Sequence, residues 1–222
     1  MSTDVYFSDR GEAARALAEK LGDLDLKNPV VLGIPRGAVF MAKMIAQRLR
    51  GEFDVVLVRK LPHPEQREFA VGSITESGRV LLGSGGRRLG LEVEDLEAEA
   101  HWQLDEIRRR RRIYTPHRGP IDLHGRTVVI VDDGIATGST MEAAIVSARA
   151  LGALRVIAAA PVASDSAVEL LTSIGAEIVV VAVPAFFFSV SQFYERFDQL
   201  TDEDVIEALR ESEEKEGVFT HS

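Results

Sequence analysis

The stretch Val128-Val129-Ile130-Val131-Asp132-Asp133-Gly134-Ile135-Ala136-Thr137-Gly138-Ser139-Thr140-Met141 decides how the rest of the chain is read. Four β-branched apolar residues predict a strand buried on both faces, and the strand ends in two adjacent carboxylates. A turn of small residues follows and opens into a helix. In open α/β sheets ligands sit beyond the carboxyl ends of the strands, which is where this turn falls. Backbone N–H groups from Ala136 to Thr140 converge at the helix N-terminus, and Thr137, Ser139 and Thr140 add hydroxyls, which makes a cradle for phosphate. Gly134 and Gly138 let the backbone come close to a ligand without a Cβ. The lysine of a nucleotide P-loop is missing. Asp132 and Asp133 do not attract a phosphate; they suit the hydroxyls of a sugar diol, or a hydrated divalent cation. Phosphate and diol together describe a ribose 5-phosphate. An isolated Asp-Asp-Gly is more simply a capped turn, but the whole strand–acid–acid–loop–helix unit is not.

Outward from this unit, strands and helices alternate. Ser8 or Asp9 caps a first helix carrying Ala13, Leu17 and Leu21 on one stripe and ending near Gly22. Pro29–Ile34 reads as a buried strand, followed by a helix with Val39, Ile45, Ala46 and Leu49 apolar and closed by Gly51. Asp54–Val58 reads as a second strand delivering Arg59 and Lys60. Leu61–Glu68, with two prolines, reads as an exposed loop, and Phe69–Thr75 with Arg79–Leu82 as a hairpin. Gly83–Gly86 is expected to be a flexible connection and Leu91–Ile113 a long charged helix. After the strand at Thr127–Val131 come a helix (about Thr140–Leu151), a strand (Leu154–Ala160), a helix (Ser164–Ile174) and a strand (Glu177–Val183). The expected fold class is α/β, a mostly parallel twisted sheet flanked by helices. One domain is expected over 1–222, with an inserted helical segment at about 84–120 and a small hood at about 184–222.

Composition sets the bounds. The chain has 222 residues, 45 % hydrophobic, enough for a real core. The absence of cysteine excludes disulfides and thiol chemistry and fits a reducing, cytoplasmic setting. The most apolar run, Ile178–Phe188, is too short to span a membrane and contains Pro184, and Met1–Val5 does not begin a basic-then-apolar signal. A net charge of −9 argues at first against an anionic ligand, but ten acids and three bases fall between Glu195 and Glu216. That segment reads as a solvated helix, leaving a nearly neutral body. The five histidines (63, 101, 117, 124 and 221) show no metal-ligand spacing, and no Gly-x-Ser-x-Gly elbow is present.

The stretch from Val128 to Met141 resembles the signature of the type I phosphoribosyltransferases, in wording closest to adenine-type members. Two further segments agree in order: Gly33-Ile-Pro-Arg36-Gly37-Ala38 resembles the family's pyrophosphate loop, and Arg59-Lys60-Leu-Pro the start of its mobile loop. The resemblance covers roughly Val30–Val183 and is weakest over Val80–Pro120. It implies that Asp132 and Asp133 bind the ribose 2′ and 3′ hydroxyls of phosphoribosyl pyrophosphate. It implies too that Ala136, Thr137, Gly138, Ser139 and Thr140 bind its 5-phosphate, and that Arg36, Gly37, Arg59 and Lys60 meet the diphosphate. Mg²⁺ is the implied cofactor, with Asp132 and Asp133 reaching it through water. Asp132, Asp133, Arg59 and Lys60 are the expected catalytic group, Leu61–Glu68 the lid, and His63 on that lid a bystander. Phe186 or Phe187 is the candidate platform for the acceptor base, against the plain alternative of aromatic packing. Members acting on 6-oxopurines carry an Asp in the phosphate loop where this chain has Ala136, so the proton acceptor has no assigned residue.

A homodimer is expected, with no membrane partner. The arginines Arg108–Arg112 invite a nucleic-acid reading, but Asp105 and Glu106 sit at ion-pair spacing, so a solvated or dimer-facing helix is expected instead. The rival function is a phosphoribosyl-nucleotide receptor that regulates RNA or a partner protein without turnover.

Overall fold

A computed structural model describes residues 6–219. The expected end segment Met1–Val5 and the hood's last residues, 220–222, lie outside the described residues. In chain order the elements are α1 (Arg10–Gly22), β1 (Val30–Gly33), α2 (Val39–Leu49), β2 (Glu52–Val55), β3 (Val58–Pro62), β4 (Ala70–Thr75), β5 (Val80–Leu82), α3 (Ser84–Arg88), α4 (Glu97–Tyr114), β6 (Thr127–Val131), α5 (Ser139–Ala150), β7 (Arg155–Val162), α6 (Asp165–Ser173), β8 (Glu177–Ala182) and α7 (Asp202–Phe219). Short 3₁₀ turns at Glu94–Leu96 and Val190–Phe193 precede α4 and join β8 to α7.

Strands β2-β1-β6-β7-β8 form one parallel sheet in that order. The register aligns Val31 with Val129 and Val129 with Ile157. Side chains alternate across this sheet, and both faces are covered. Val31, Val129 and Ile157 pack with Leu17, Leu21, Met41 and Ile45 of α1 and α2. Val30, Val128, Ile130 and Ala158 pack with Met141, Ile145 and Leu171 of α5 and α6 on the other face. The chain runs from β1 to one edge and from β6 to the other, so the order reverses between β1 and β6. The loops after these two strands therefore open beside each other, and the Ile34 N–H donates to the Val131 carbonyl at 2.9 Å.

Asp9 caps α1, its Oδ1 accepting from the Glu12 N–H at 3.0 Å. The expected second strand is two strands. β2 stops at Val55, and β3 leaves the parallel sheet to pair antiparallel with β4, so Arg59 and Lys60 sit in a strand rather than at the start of a loop. Apolar periodicity cannot register a change of sheet inside one apolar run. The expected lid shortens accordingly, because Leu61 and Pro62 belong to β3 and the hairpin tip is closed by His63 N–H to Phe69 C=O at 2.7 Å. Gly83–Gly86 is not a flexible connection. It starts α3, with the Gly83 N–H on the Val71 carbonyl at 2.8 Å, and a Cβ on Gly86 would lie 2.5 Å from that same oxygen.

Two charged segments are less solvated than expected. Within Arg108–Arg112, Arg111 turns inward to Asp54 and Glu76 while Arg109 and Arg110 pair with Glu106. The acidic tail forms α7, which buries Val205, Ala208 and Leu209. It also binds neighbouring helices, through Lys43 to Glu211 and the Tyr114 hydroxyl to Asp202 at 2.7 Å. Among the described residues, no helix is long and apolar enough to cross a membrane.

Candidate active site

The turn after β6 is tied on its outer side and open on its inner side. Its Asp132 N–H donates to Ala159 C=O at 3.1 Å and its Ile135 N–H to Val162 C=O at 2.9 Å. Ser164 Oγ, the cap of α6, donates to Ala136 C=O at 2.6 Å. Beyond these ties Ala136 and Thr137 are exposed, and Thr137 Oγ1 lies 3.1 Å from Ser139 Oγ. Gly138 takes φ +76° at the N-cap of α5, a conformation that suits glycine, and no side chain caps that helix. The first-turn N–H groups of α5 thus face the opening with the helix dipole behind them.

Asp132 and Asp133 stand beside this turn. The Asp132 carboxylate accepts the Asp133 N–H at 2.9 Å. Burial, reinforced by the charge of Asp133, pushes the Asp132 carboxyl well above its ordinary range. Burial also raises Asp133, against the opposing pull of Arg10. Arg10 is a residue the sequence reading missed, since 123 positions separate the partners and no local signal joins them. Its Nε and Nη2 both lie 2.9 Å from Asp133 Oδ2. Gly37 of the preceding loop abuts the same carboxylate so closely that a Cβ there would overlap Asp133 Oδ2.

Of the four expected diphosphate residues, Arg59 and Lys60 line one cleft with Thr140, and Arg36 lines another. Arg36 is exposed on the loop after β1, and the Pro35–Arg36 peptide is cis. Lys60 is exposed on β3, close enough to Asp132 to pull its carboxyl back down. It lines a cleft with Ser73, Arg88, Thr137 and Ser139, so it shares a wall with the phosphate turn. Arg59, its neighbour in the strand, lines with Lys60 and Thr140 a second cleft that reaches Gln103 of α4. Its Nε donates to Gln103 Oε1 of α4 at 2.8 Å, and burial, then the charge of Arg110, lowers its pKa. His63 stays at the hairpin tip, its Nδ1 accepting the Glu65 N–H at 3.1 Å.

The first described residues and the segment after β8 roof the site. Tyr6 and Phe7 donate their N–H groups to Phe193 C=O, and Glu195 N–H returns to Phe7 C=O at 2.9 Å. Ring contacts join Tyr6 to Phe193, Phe7 to Tyr194 and Tyr194 to Phe197. The Tyr194 hydroxyl donates to Asp133 C=O at 2.6 Å, and Gly134 leaves room for Val190. The two candidate base platforms separate here. Phe187 packs on Phe193, centroids 5.0 Å apart, whereas Phe186 is 77 % exposed. The roof therefore draws on residues 6–9 as well as on the C-terminal segment expected to form it.

Residues 9–174 match the family described as the phosphoribosyl transferase domain. The chain belongs to that family. Proteins of two Mycobacterium tuberculosis strains, provisionally named phosphoribosyl transferases, are each 44 % identical over 204 residues. These residues make up 91 % of this chain and 46 % of theirs, so the chain spans about half the length of the curated relatives it matches. A crystal structure of a Thermus thermophilus protein superposes with a TM-score of 0.84 at 45 % identity, covering 93 % of this chain and 98 % of that one. A hypothetical protein from Neisseria gonorrhoeae, solved with bound ppGpp, shares the fold at a TM-score of 0.50 and 13 % identity, over 95 % of this chain and 98 % of its own.

As a phosphoribosyltransferase-family domain, the chain has a donor set that fits Mg²⁺ in a limited way. No group of three metal-binding side chains occurs among the described residues, so Asp132 and Asp133 cannot cage an ion alone. They fit a hard cation that keeps several waters and takes its other oxygens from a phosphorylated ligand.

Proposed function

We propose that this domain is a Mg²⁺-dependent phosphoribosyltransferase: it binds phosphoribosyl pyrophosphate and transfers ribose 5-phosphate to a nitrogenous base, releasing diphosphate. One observation carries the reading. Two adjacent carboxylates stand beside an uncapped helix N-terminus at the point where the strand order reverses. In this reading Ala136–Thr140 hold the 5-phosphate through backbone N–H groups and hydroxyls. Asp132 and Asp133 accept hydrogen bonds from the ribose diol and favour the positive charge that develops on the sugar. Arg36, the Gly37 backbone and Lys60 receive the diphosphate. Arg59 joins them by exchanging Gln103 for the ligand, a contact made as the hairpin tip closes.

Mg²⁺, when bound, neutralises charge on the departing diphosphate. The bond from the anomeric carbon to the diphosphate oxygen breaks, and the oxygen keeps the electron pair. The new bond forms to the acceptor nitrogen, which sheds its proton. Ala136 offers no carboxylate for that proton, so the reading favours an acceptor other than a 6-oxopurine. Phe186 is the platform for the acceptor ring, because Phe187 is committed to Phe193. A cytoplasmic homodimer acting in nucleotide salvage belongs to the same reading.

Diphosphate release from phosphoribosyl pyrophosphate, followed across a panel of nucleobases with Asp133→Asn as control, tests the proposal. Release with at least one base, abolished in the variant, supports it. Binding without turnover would favour a nucleotide receptor. Failure of both phosphoribosyl pyrophosphate and nucleoside monophosphates to raise the melting temperature would remove the ligand site altogether.

A further inference from the structure

Arg10 opens α1, directly after its Asp9 cap, and all three of its guanidinium nitrogens are engaged. Nε and Nη2 lie 2.9 Å from Asp133 Oδ2, and Nη1 donates to Asp198 C=O at 2.8 Å. The guanidinium carbon sits 3.8 Å from the centre of the Phe197 ring. The pair is well shielded, with side-chain exposures of 11 % for Arg10 and 14 % for Asp133. A planar guanidinium fixed at three points is a rigid donor, and a charge-assisted pair of this kind holds its acceptor in one orientation.

Both Arg10 contacts fall on one oxygen of the carboxylate. Oδ2 is consumed by Arg10 and backed by Gly37, leaving Oδ1 as the oxygen available to a ligand. The backbone of the same residue is held by the Tyr194 hydroxyl on its carbonyl. The start of α1 and the segment after β8 thus hold Asp133 at side chain and main chain together.

We infer that Arg10 is a positioning residue for the ribose diol: it occupies Asp133 Oδ2 so that Oδ1 faces the sugar hydroxyl. Arg10 does not touch the ligand. This inference rests on the reading of Asp133 as a diol acceptor and deepens it. It also gives α1 and the Asp198 segment a purpose at the site, since ordering of the roof and orientation of Asp133 become one event.

The test is calorimetric binding of ribose 5-phosphate and of 2,3-dideoxyribose 5-phosphate to the full chain. The proteins are the wild type, Arg10→Gln, Arg10→Lys, Asp133→Asn and the Arg10→Gln/Asp133→Asn double variant. Arg10→Gln should weaken ribose 5-phosphate by about tenfold while leaving the dideoxy sugar unchanged, because only the diol reports on Oδ1. Arg10→Lys, which keeps the charge but not the fork, should fall between. In the Asp133→Asn background, Arg10→Gln should have no further effect. Equal weakening of both sugars would mean a general structural role and overturn the inference, as would wild-type affinity in Arg10→Gln. The proposed function would survive either result. A wild type that binds neither sugar would overturn both.

Discussion

Arg111 of α4 reaches the carboxylate of Asp54 on β2 at 2.9 Å, and Asp54 is 1 % exposed. The same guanidinium grips both oxygens of Glu76 at 2.7 Å and donates to Val55 C=O at 3.0 Å. Asp54 Oδ2 also takes Arg118 at 3.0 Å and the Ile121 N–H at 3.2 Å. Glu76 lies in the turn between β4 and β5, so one arginine joins the edge of the parallel sheet, the antiparallel sheet and α4. Removing Arg111 takes the paired cation from Glu76 and leaves the buried Asp54 with Arg118 alone, which costs about 3 kcal/mol, the low end for breaking a buried pair. Arg111→Met should therefore lower stability by that amount in urea unfolding, and adding Asp54→Asn should restore part of it. A loss below ~1 kcal/mol in the single variant would show that the network is not structural.

Gly37 and Asp133 belong to different loops, yet they meet so closely that no side chain fits between them. Gly37→Ala would place its methyl onto Asp133 Oδ2. The backbone of Gly37 does not have a positive φ, so Ala itself is not strained there. The displaced carboxylate and the lost approach should reduce affinity for phosphoribosyl pyrophosphate at least about tenfold, with a melting temperature within a few degrees of wild type. Unchanged affinity would show that the placement of the Asp133 carboxylate does not serve the ligand.

The alternation of strands and helices, the parallel sheet and the turn after β6 are all legible in the sequence, because each is written in local apolar period and small-residue punctuation. The exchange of sheets between β2 and β3 is not. Val55 to Val58 reads as one apolar run, and only the distant partner β4 and the buried Asp54 decide where it divides. Arg10 and Arg111 were invisible for the same reason. One lies in a helix start and the other in an arginine run that looks solvated, and each gains its meaning from an acid far away in the chain. Phe186 and Phe187 are neighbours of equal chemistry, and packing on Phe193 alone distinguishes them.

Glu106 provides a pH signature on the exposed side of α4. Hydrogen bonds from Arg109 first and Arg110 second hold its carboxyl at about 2, against an ordinary value of 4.5. A lowered native pKa contributes stability that is complete above the ordinary value and fades as pH falls through about 2. The carboxylate is 21 % exposed and screened, so the contribution is ~0.5 kcal/mol. Unfolding of wild type and Glu106→Gln should differ by that amount at pH 6, converge near pH 2, and converge at pH 6 in high salt. A difference that persists at pH 2 would assign the effect to packing.

Asp132 predicts the opposite sign. Burial first, and Asp133's charge second, raise its native pKa well above 3.8. The native state then holds the proton more tightly than the unfolded chain, so stability falls as pH rises from about 3.8 through the elevated native value. At pH 7 the raised pKa of Asp132 therefore opposes folding, a cost that the proposed ligand site would account for. Asp132→Asn keeps an amide oxygen able to accept the Asp133 N–H and removes the charge. It should raise stability at pH 7 by on the order of 1 kcal/mol while weakening phosphoribosyl pyrophosphate binding. The gain should shrink toward pH 4, where the wild-type carboxyl is protonated in the folded protein. Loss of stability at pH 7, or a gain independent of pH, would show that Asp132 is a structural acid rather than one held in readiness for a ligand.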